Sequence, residues 1–372
     1  MNNLSELYFN IQSRLFPLVE EEIGELTAKL QEFLRIIELV KPARFITGPL
    51  SWCGLGRRLK KRGNLLLAYF LKSVYNLPTT KVLIDNLKGN STWRQLCGWE
   101  FYSQVPSEAT FSRAFKEFAE LNLLDKMLET VVKENYKKKL VGHASMDSTA
   151  INGREKPCRK NTPKQAKKKK KRGRKSKAEL ATMKEQELAE VKTRRLELQP
   201  NRSLEENLAD LPKGCDWGGK KNSKGKSEYW CGYKLHLSLA DGGVPLAAVL
   251  TSASPHDSQV AIPLMQMTSE RATVLYDLAD SAYDAPEIKD CSKNLGRVPI
   301  IDPNKRRGEA IEFTPAEKVR YRERSTVERG NSELKDNYGA RHVRVKGHEK
   351  VYTHLMFGVI AITVKQLFNM LN

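Results

Sequence analysis

Residues 314–335 read Thr-Pro-Ala-Glu-Lys-Val-Arg-Tyr-Arg-Glu-Arg-Ser-Thr-Val-Glu-Arg-Gly-Asn-Ser-Glu-Leu-Lys. Thr314 followed by Pro315 and Glu317 is a capping box with proline at the first helical position, so a helix is expected to start here. Counted from Tyr321 at roughly 100° per residue, Arg324 falls at about 300°, Glu328 at about 340° and Lys335 at about 320°. One aromatic ring, two cations and one carboxylate therefore share a narrow face. Val327 and Leu334 fall together near about 220–240° and supply the buried flank. An ordinary charged surface helix with i,i+4 ion pairs has the same look. A carboxylate ringed by Arg, Lys and Tyr also suits a site that holds a metal ion against a phosphate chain.

The spacing Tyr-x2-Arg-x3-Glu-x6-Lys, carried by Tyr321, Arg324, Glu328 and Lys335, resembles the signature of bacterial insertion-sequence transposases of the Asp-Asp-Glu class. The resemblance implies a ribonuclease-H-like mixed sheet flanked by helices, preceded by an all-helical N-terminal domain. It also requires two aspartates upstream of Glu328, carried on strands.

Val141 to Ile151 alternates small or apolar with polar residues and reads as a strand with Asp147 near its end. Tyr229–Leu239 and Val244–Leu250, joined by the turn Asp241-Gly242-Gly243, read as a hairpin. Pro255-His256-Asp257-Ser258 reads as the cap of a helix over Gln259 to Met267. Ala272–Asp277 is a fourth strand that runs into Asp280, a helix covers Pro286 to Asn294, and Arg297–Asp302 is a fifth strand. The order β-β-β-α-β-α-β-α fits the implied fold with a large insert after its first strand. In that fold the first and fourth strands are neighbours and the last helix crosses the sheet, which would gather Asp147, Asp280 and Glu328. Asp147-Ser148-Thr149 and Ala279-Asp280-Ser-Ala-Tyr283-Asp284 are similar to the family's two aspartate contexts, which favours Asp280 over Asp277 and Asp284. His143, His236 and His256 read as structural hydrogen-bonding groups.

The chain has 372 residues and a formal net charge of +20. That favours a polyanionic partner, with nucleic acid the first candidate. Residues 154–177 hold 14 Lys/Arg against one acid, leaving a net of only +7 for the remainder. Lys167 to Lys177 is nine Lys/Arg in eleven residues, a run that repels itself and cannot pack a core. Within it Lys171, Arg172 and Arg174 flank Gly173 in an Arg-Gly-Arg arrangement similar to minor-groove hooks. Non-specific phosphate attraction is the competing reading. Residues 200–225 read as loop.

Ile23, Leu26, Leu30, Phe33, Ile37 and Val40 form an amphipathic seam, for the core or for dimerisation. Residues 62–140 read as all-helical, with Ser107 capping a helix that carries Thr110, Ser112 and Arg113 in its first turns. The division expected is a helical DNA-binding and dimerisation domain over 1–140, a catalytic domain over 141–153 and 229–372, and a basic insertion over 154–228. The six cysteines show no zinc spacing and read as structural thiols of a reducing cytoplasm. No secretory signal is expected, and the apolar run Leu355 to Val364 reads as too short to span a bilayer.

From the resemblance follow the functional expectations. Asp147, Asp280 and Glu328 would be catalytic acids and metal ligands, holding two Mg²⁺ ions, with Mn²⁺ as a substitute. Tyr321, Arg324 and Lys335, with Lys171, Arg172 and Arg174, would contact DNA. The protein would nick the inverted ends of its element and join the 3′-ends to target DNA. It would work as a homodimer on DNA in the cytoplasm, associated with the nucleoid, and without a membrane. A catalytically silent DNA-binding regulator derived from a transposase and an RNA-directed protein are the alternatives.

Overall fold

The computed structural model describes residues 2–50, 60–137, 139–158, 194–221, 225–304 and 312–371. Lys171, Arg172 and Arg174, with the whole run from Lys167 to Lys177, lie outside the described residues.

The N-terminal part is helical: α1 (Asn2–Asn10), α2 (Phe16–Ile23), α3 (Ala28–Val40), α4 (Arg62–Val74), α5 (Thr80–Gly89), α6 (Ser91–Leu96), α7 (Glu108–Glu120) and α8 (Leu123–Tyr136). The seam from Ile23 to Val40 is not one helix. Gly24 takes φ 82° and ends α2, a left-handed position that favours glycine. The Thr27 hydroxyl then accepts from the Leu30 amide and starts α3 afresh. Both pieces still face one core, and Phe33, Ile36 and Val40 are fully buried in it, so the α3 stripe is a core face. Ser107 precedes α7 as expected, but its side chain makes no capping bond.

Among the described residues the sheet has six strands: β1 (Leu140–Asn152), β2 (Asp216–Lys221), β3 (Ser227–Ala240), β4 (Pro245–Ser252), β5 (Thr273–Ala279) and β6 (Val298–Ile301). Their order is β2-β3-β1-β5-β6, with β4 also on β3. The long β3 serves two partners along one edge, β2 up to Gly232 and β4 from Tyr233 onward. Gly232 sits at the changeover. A Cβ there would lie 2.1 Å from the Ile151 carbonyl oxygen and 2.4 Å from the Gly153 nitrogen, so only glycine lets β1 and β3 approach this closely. β1 is antiparallel to β3 and parallel to β5. The first and fourth strands expected from the sequence are thus neighbours, in the mixed α/β arrangement of a ribonuclease-H-like fold.

The sequence reading missed two features here. Residues 200–225 are not all loop: they hold α10 (Leu204–Asp210) and β2, after the short α9 (Arg195–Leu198). A Ser203–Glu206 capping box starts α10, and it went unread inside a polar stretch. β1 also runs well past Asp147, pairing with β3 as far as Asn152, so Asp147 stands in mid-strand rather than near its end.

Helices cover both faces. α11 (Ser258–Arg271) and α12 (Pro286–Asn294) build a smaller core with Met146, Ala247 and Val249. On the other face β4 turns Leu246, Ala248 and Leu250 into the larger core, which also takes in the N-terminal helices. Period-2 alternation between two cores explains why β4 is apolar from Pro245 to Leu250. The last helix, α15 (His348–Asn369), has 22 residues, long and apolar enough to cross a membrane by length and composition, and 78% of its apolar 18-residue window is buried inside the protein. The apolar run was therefore read too short, but its reading as a buried closing helix holds. Asp125 of α8, Arg271 of α11 and Tyr352 of α15 tie the helical part to the sheet. Arg271 donates to Asp125 at 2.8 Å and to the Leu246 carbonyl at 3.1 Å. Tyr352 donates to Asp125 at 2.9 Å.

Candidate active site

The expected capping box at Thr314 is present, with Thr314 and Glu317 bonded reciprocally at the start of α13 (Pro315–Tyr321). The helix beyond it is not continuous. A 3₁₀ turn over Arg322–Arg324 separates α13 from α14 (Ser325–Asn337). The tighter turn changes the angular spacing between Tyr321 and Glu328, yet Val327 and Leu334 are both fully buried. α14 lies against β1 and β3, and the Ser145 hydroxyl donates to the Glu323 carbonyl at 3.3 Å.

Register places the two aspartates. The last paired residues of β1 and β5 are Ser145 and Leu278. Each strand's chain runs two residues further to an aspartate, Asp147 on β1 and Asp280 just past the end of β5, near enough for the Asp280 charge to act on the Asp147 carboxyl. This corner, outside the carboxyl end of a parallel strand, is where open α/β sheets bind ligands. Asp280 is fixed by a 2.9 Å bond from the Ala282 amide. Asp147 accepts from the Asn331 side chain of α14 at 3.0 Å. Glu328 sits on the same helix, one turn before Asn331.

The corner is electrostatically strained. Burial pushes the Asp147 carboxyl up to about 6, and the neighbouring charges of Asp280 and Asp257 add to the rise, against a backbone bond at Ser148 and the Arg324 cation. Burial raises Asp280 too, reinforced by Asp257 and Asp302. Arg324 is the counter-charge. Burial works against its cation, but Tyr321, Glu328, Asp147 and Asp280 together raise it. Its guanidinium lies 5.8 Å from the Tyr321 ring centre and donates to Glu328. Lys335 is lowered, first by burial and then by Lys220 and Arg341, while Asp147 pulls the other way. Tyr321, Arg324, Glu328 and Lys335 thus belong to one neighbourhood with the aspartates. The three acids do not converge as they stand: among the described residues no three His, Cys, Asp or Glu side chains form a metal-holding group, and Glu328 is occupied by Arg324.

The competing acids have other partners. Asp277 is buried against Arg297 at 3.0 Å and Ser292 at 2.7 Å. Asp284 pairs with Lys289, and Glu333 with Lys365. His143 bonds Asp241 and His256 bonds Ser258, as structural groups do. His236 lies in mid-strand opposite Ser148. The Thr251 hydroxyl donates to the Ser252 carbonyl, so it accepts from His236 Nε2, and burial drives that imidazole down to about 4.

Sequence reasoning missed Asp257, Lys234 and Asn331. Asp257 precedes α11 but makes no side-chain cap bond. Its carboxylate takes the buried Lys234 ammonium at 2.8 Å. Burial would raise it, but His236 and Lys234 bring it below the usual range. The helix starts where the sequence places it, but the Asp257 side chain does not cap it, because a capping aspartate and an ion-paired one look alike in sequence. Asn331 had a signal: it falls at about 280° on the face that begins at Tyr321.

A family described as Transposase DDE domain matches residues 141–364. A second, described as Transposase domain, matches residues 21–117. No curated protein and no solved structure matches the chain.

Proposed function

The chain belongs to the transposase DDE-domain family, matched over residues 141–364, and from that premise we propose that Asp147, Asp280 and Glu328 are its catalytic acids. A transposase acts on DNA as a nuclease and strand transferase, and the family's chemistry uses a divalent metal. The reading for this chain is hydrolysis of a phosphodiester at each element end, then attack of the freed 3′-hydroxyl on target DNA. The DNA partners are the terminal inverted repeats and a target duplex. The working unit is a homodimer on DNA, in the cytoplasm with the nucleoid.

The observation that carries this reading is that Asp147 and Asp280 each lie two residues beyond the last pair of two neighbouring parallel strands, with the Glu328 helix bonded to Asp147 through Asn331. The donor set fits Mg²⁺, which prefers carboxylate oxygen, and both carboxyls are raised above their ordinary range, first by burial and then by neighbouring carboxylates, which a bound cation would offset. Two Mg²⁺ ions, or Mn²⁺ in their place, would supply activation of the attacking oxygen and stabilisation of the leaving one. Glu328 is 55% exposed in its pair with Arg324. Such surface pairs are worth only about 0–1 kcal/mol, so the carboxylate is free to turn toward Asp147. Arg324, once released, and Lys335 then hold backbone phosphates, and Tyr321 stacks on a displaced base or bonds a phosphate. Lys171, Arg172 and Arg174 add sequence-independent phosphate contacts.

The test is cleavage of a matched end by the purified protein with Mg²⁺ or Mn²⁺. Asp147→Ala, Asp280→Ala and Glu328→Ala are each expected to abolish cleavage while binding to the end survives. A variant with near-normal strand transfer removes its residue from the site, and an intact protein that binds ends without cutting them favours the silent regulator.

A further inference from the structure

A second electropositive site lies away from the acids, where the N-terminal helices meet the chain leading into α15. It is a cavity of about 350 Å³, within the range of small-molecule sites, about 300–1,000 Å³. Five cations line it, Lys72, Arg154, Arg344, Lys346 and Lys350, against one acid, Glu108. Lys72 is the informative one. It is 8% exposed, and among the described residues its ammonium has no hydrogen bond or ion pair. A cation this enclosed, with no negative partner, is costly. His354, which also lines the cavity, supplies no negative charge: burial, and then the Lys72 charge, hold its imidazole neutral.

The remaining walls suggest what fills the space. Thr79 caps α5 by accepting from Val82, and Thr80, the first residue of that helix, lines the cavity. The partial positive charge of a helix start adds to that of the cations. Tyr69, Phe115 and Phe357 form an aromatic floor, with ring centres 4.9 to 6.3 Å apart. Cations and helix start suit a phosphate, and the aromatic floor and the size suit a ring attached to it. We propose that this cavity binds a single nucleotide unit, with its phosphate on Lys72, Arg344 and Lys350 and its base toward the aromatic floor. The unit is either a free nucleotide or an unpaired nucleotide of a DNA strand. The site does not use Asp147, Asp280 or Glu328, so it stands or falls separately from the catalytic reading.

The experiment is isothermal titration of the full-length protein in metal-free buffer with AMP and with a short 5′-phosphorylated single strand. Lys72→Met keeps the length and apolar stem of the lysine, and Lys350→Ala, on a partly exposed position, guards against a misfolded first variant. One-to-one binding of either probe is expected, weakened at least tenfold by Lys72→Met and several-fold by Lys350→Ala. Loss confined to AMP assigns the site to a free nucleotide, and loss confined to the strand assigns it to DNA. Binding of neither probe, or binding that both variants leave unchanged, overturns the proposal. Cleavage of element ends by Lys72→Met is read in parallel, because a failure of catalysis alone leaves the titration result standing.

Discussion

Replacing Asp147 by Asn should stabilise the metal-free protein at neutral pH, which is unusual for a buried residue in mid-strand. The cause is first the burial of Asp147 and then the neighbouring charges of Asp280 and Asp257. The Asp147 carboxyl is raised from 3.8 to about 6, and each unit is about 1.4 kcal/mol, so the ionised form costs about 3 kcal/mol. The sign follows from proton uptake. Between these two values the folded chain holds more protons than the unfolded one, so stability falls as pH rises from about 4 to about 6 and the full penalty stands above it. Asn cannot ionise, and its side-chain oxygen still accepts from Asn331. With an unfolding entropy of about 2.1 cal/mol/K per residue, about 3 kcal/mol is worth about 4 °C for a chain of 372 residues. The assay is differential scanning calorimetry of Asp147→Asn and wild type from pH 4 to pH 8 in EDTA. The variant should melt about 4 °C higher at pH 7.5, with the gap closing near pH 4. A variant that melts lower at pH 7.5, or a gap that does not move with pH, refutes the reasoning.

Other consequences are as direct. Mn²⁺ affinity should be nearly flat above pH 7 and fall about tenfold per unit below about pH 6 as protons compete at Asp147, measured by titration calorimetry; an affinity that ignores pH would place the ion elsewhere. Arg297→Ala leaves Asp277 buried and unpaired, and should cost about 3–5 kcal/mol in urea unfolding. Deleting Lys167–Lys177 should weaken DNA binding and reduce the slope of log affinity against log salt by about 0.9 per lost phosphate contact. An unchanged slope would mean these cations do not reach DNA.

The part of the fold legible in the sequence was the part written in local patterns. The Thr314 capping box, the buried flank of Val327 and Leu334, and the strands that lead to Asp147 and Asp280 each rest on short-range patterns, and each is found; that those two strands are neighbours was implied by the family resemblance. What failed needed information from across the chain. Asp257 reads as a cap until Lys234, far away in sequence, is seen to take its carboxylate. The seam from Ile23 to Val40 keeps its spacing through Gly24 because both pieces face one core, so periodicity alone gave no sign of the break. β2 is polar, glycine-rich and at the sheet edge, where strand signals are weakest. The wheel on Tyr321 gathered the right neighbours despite the 3₁₀ turn, because Arg324 lies near both Tyr321 and Glu328. The Arg324–Glu328 pair is the i,i+4 ion pair that the competing surface-helix reading offered.

Catalysis by Asp147, Asp280 and Glu328 requires that the three carboxylates share one cation. The most direct measurement is a crystal structure with Mn²⁺ and an element-end duplex, read by anomalous scattering at the manganese edge. The expected result is an anomalous peak between the carboxyls of Asp147 and Asp280, with Glu328 turned away from Arg324 toward it. A peak elsewhere, or density that leaves Glu328 on Arg324 with a cut end already bound, contradicts it.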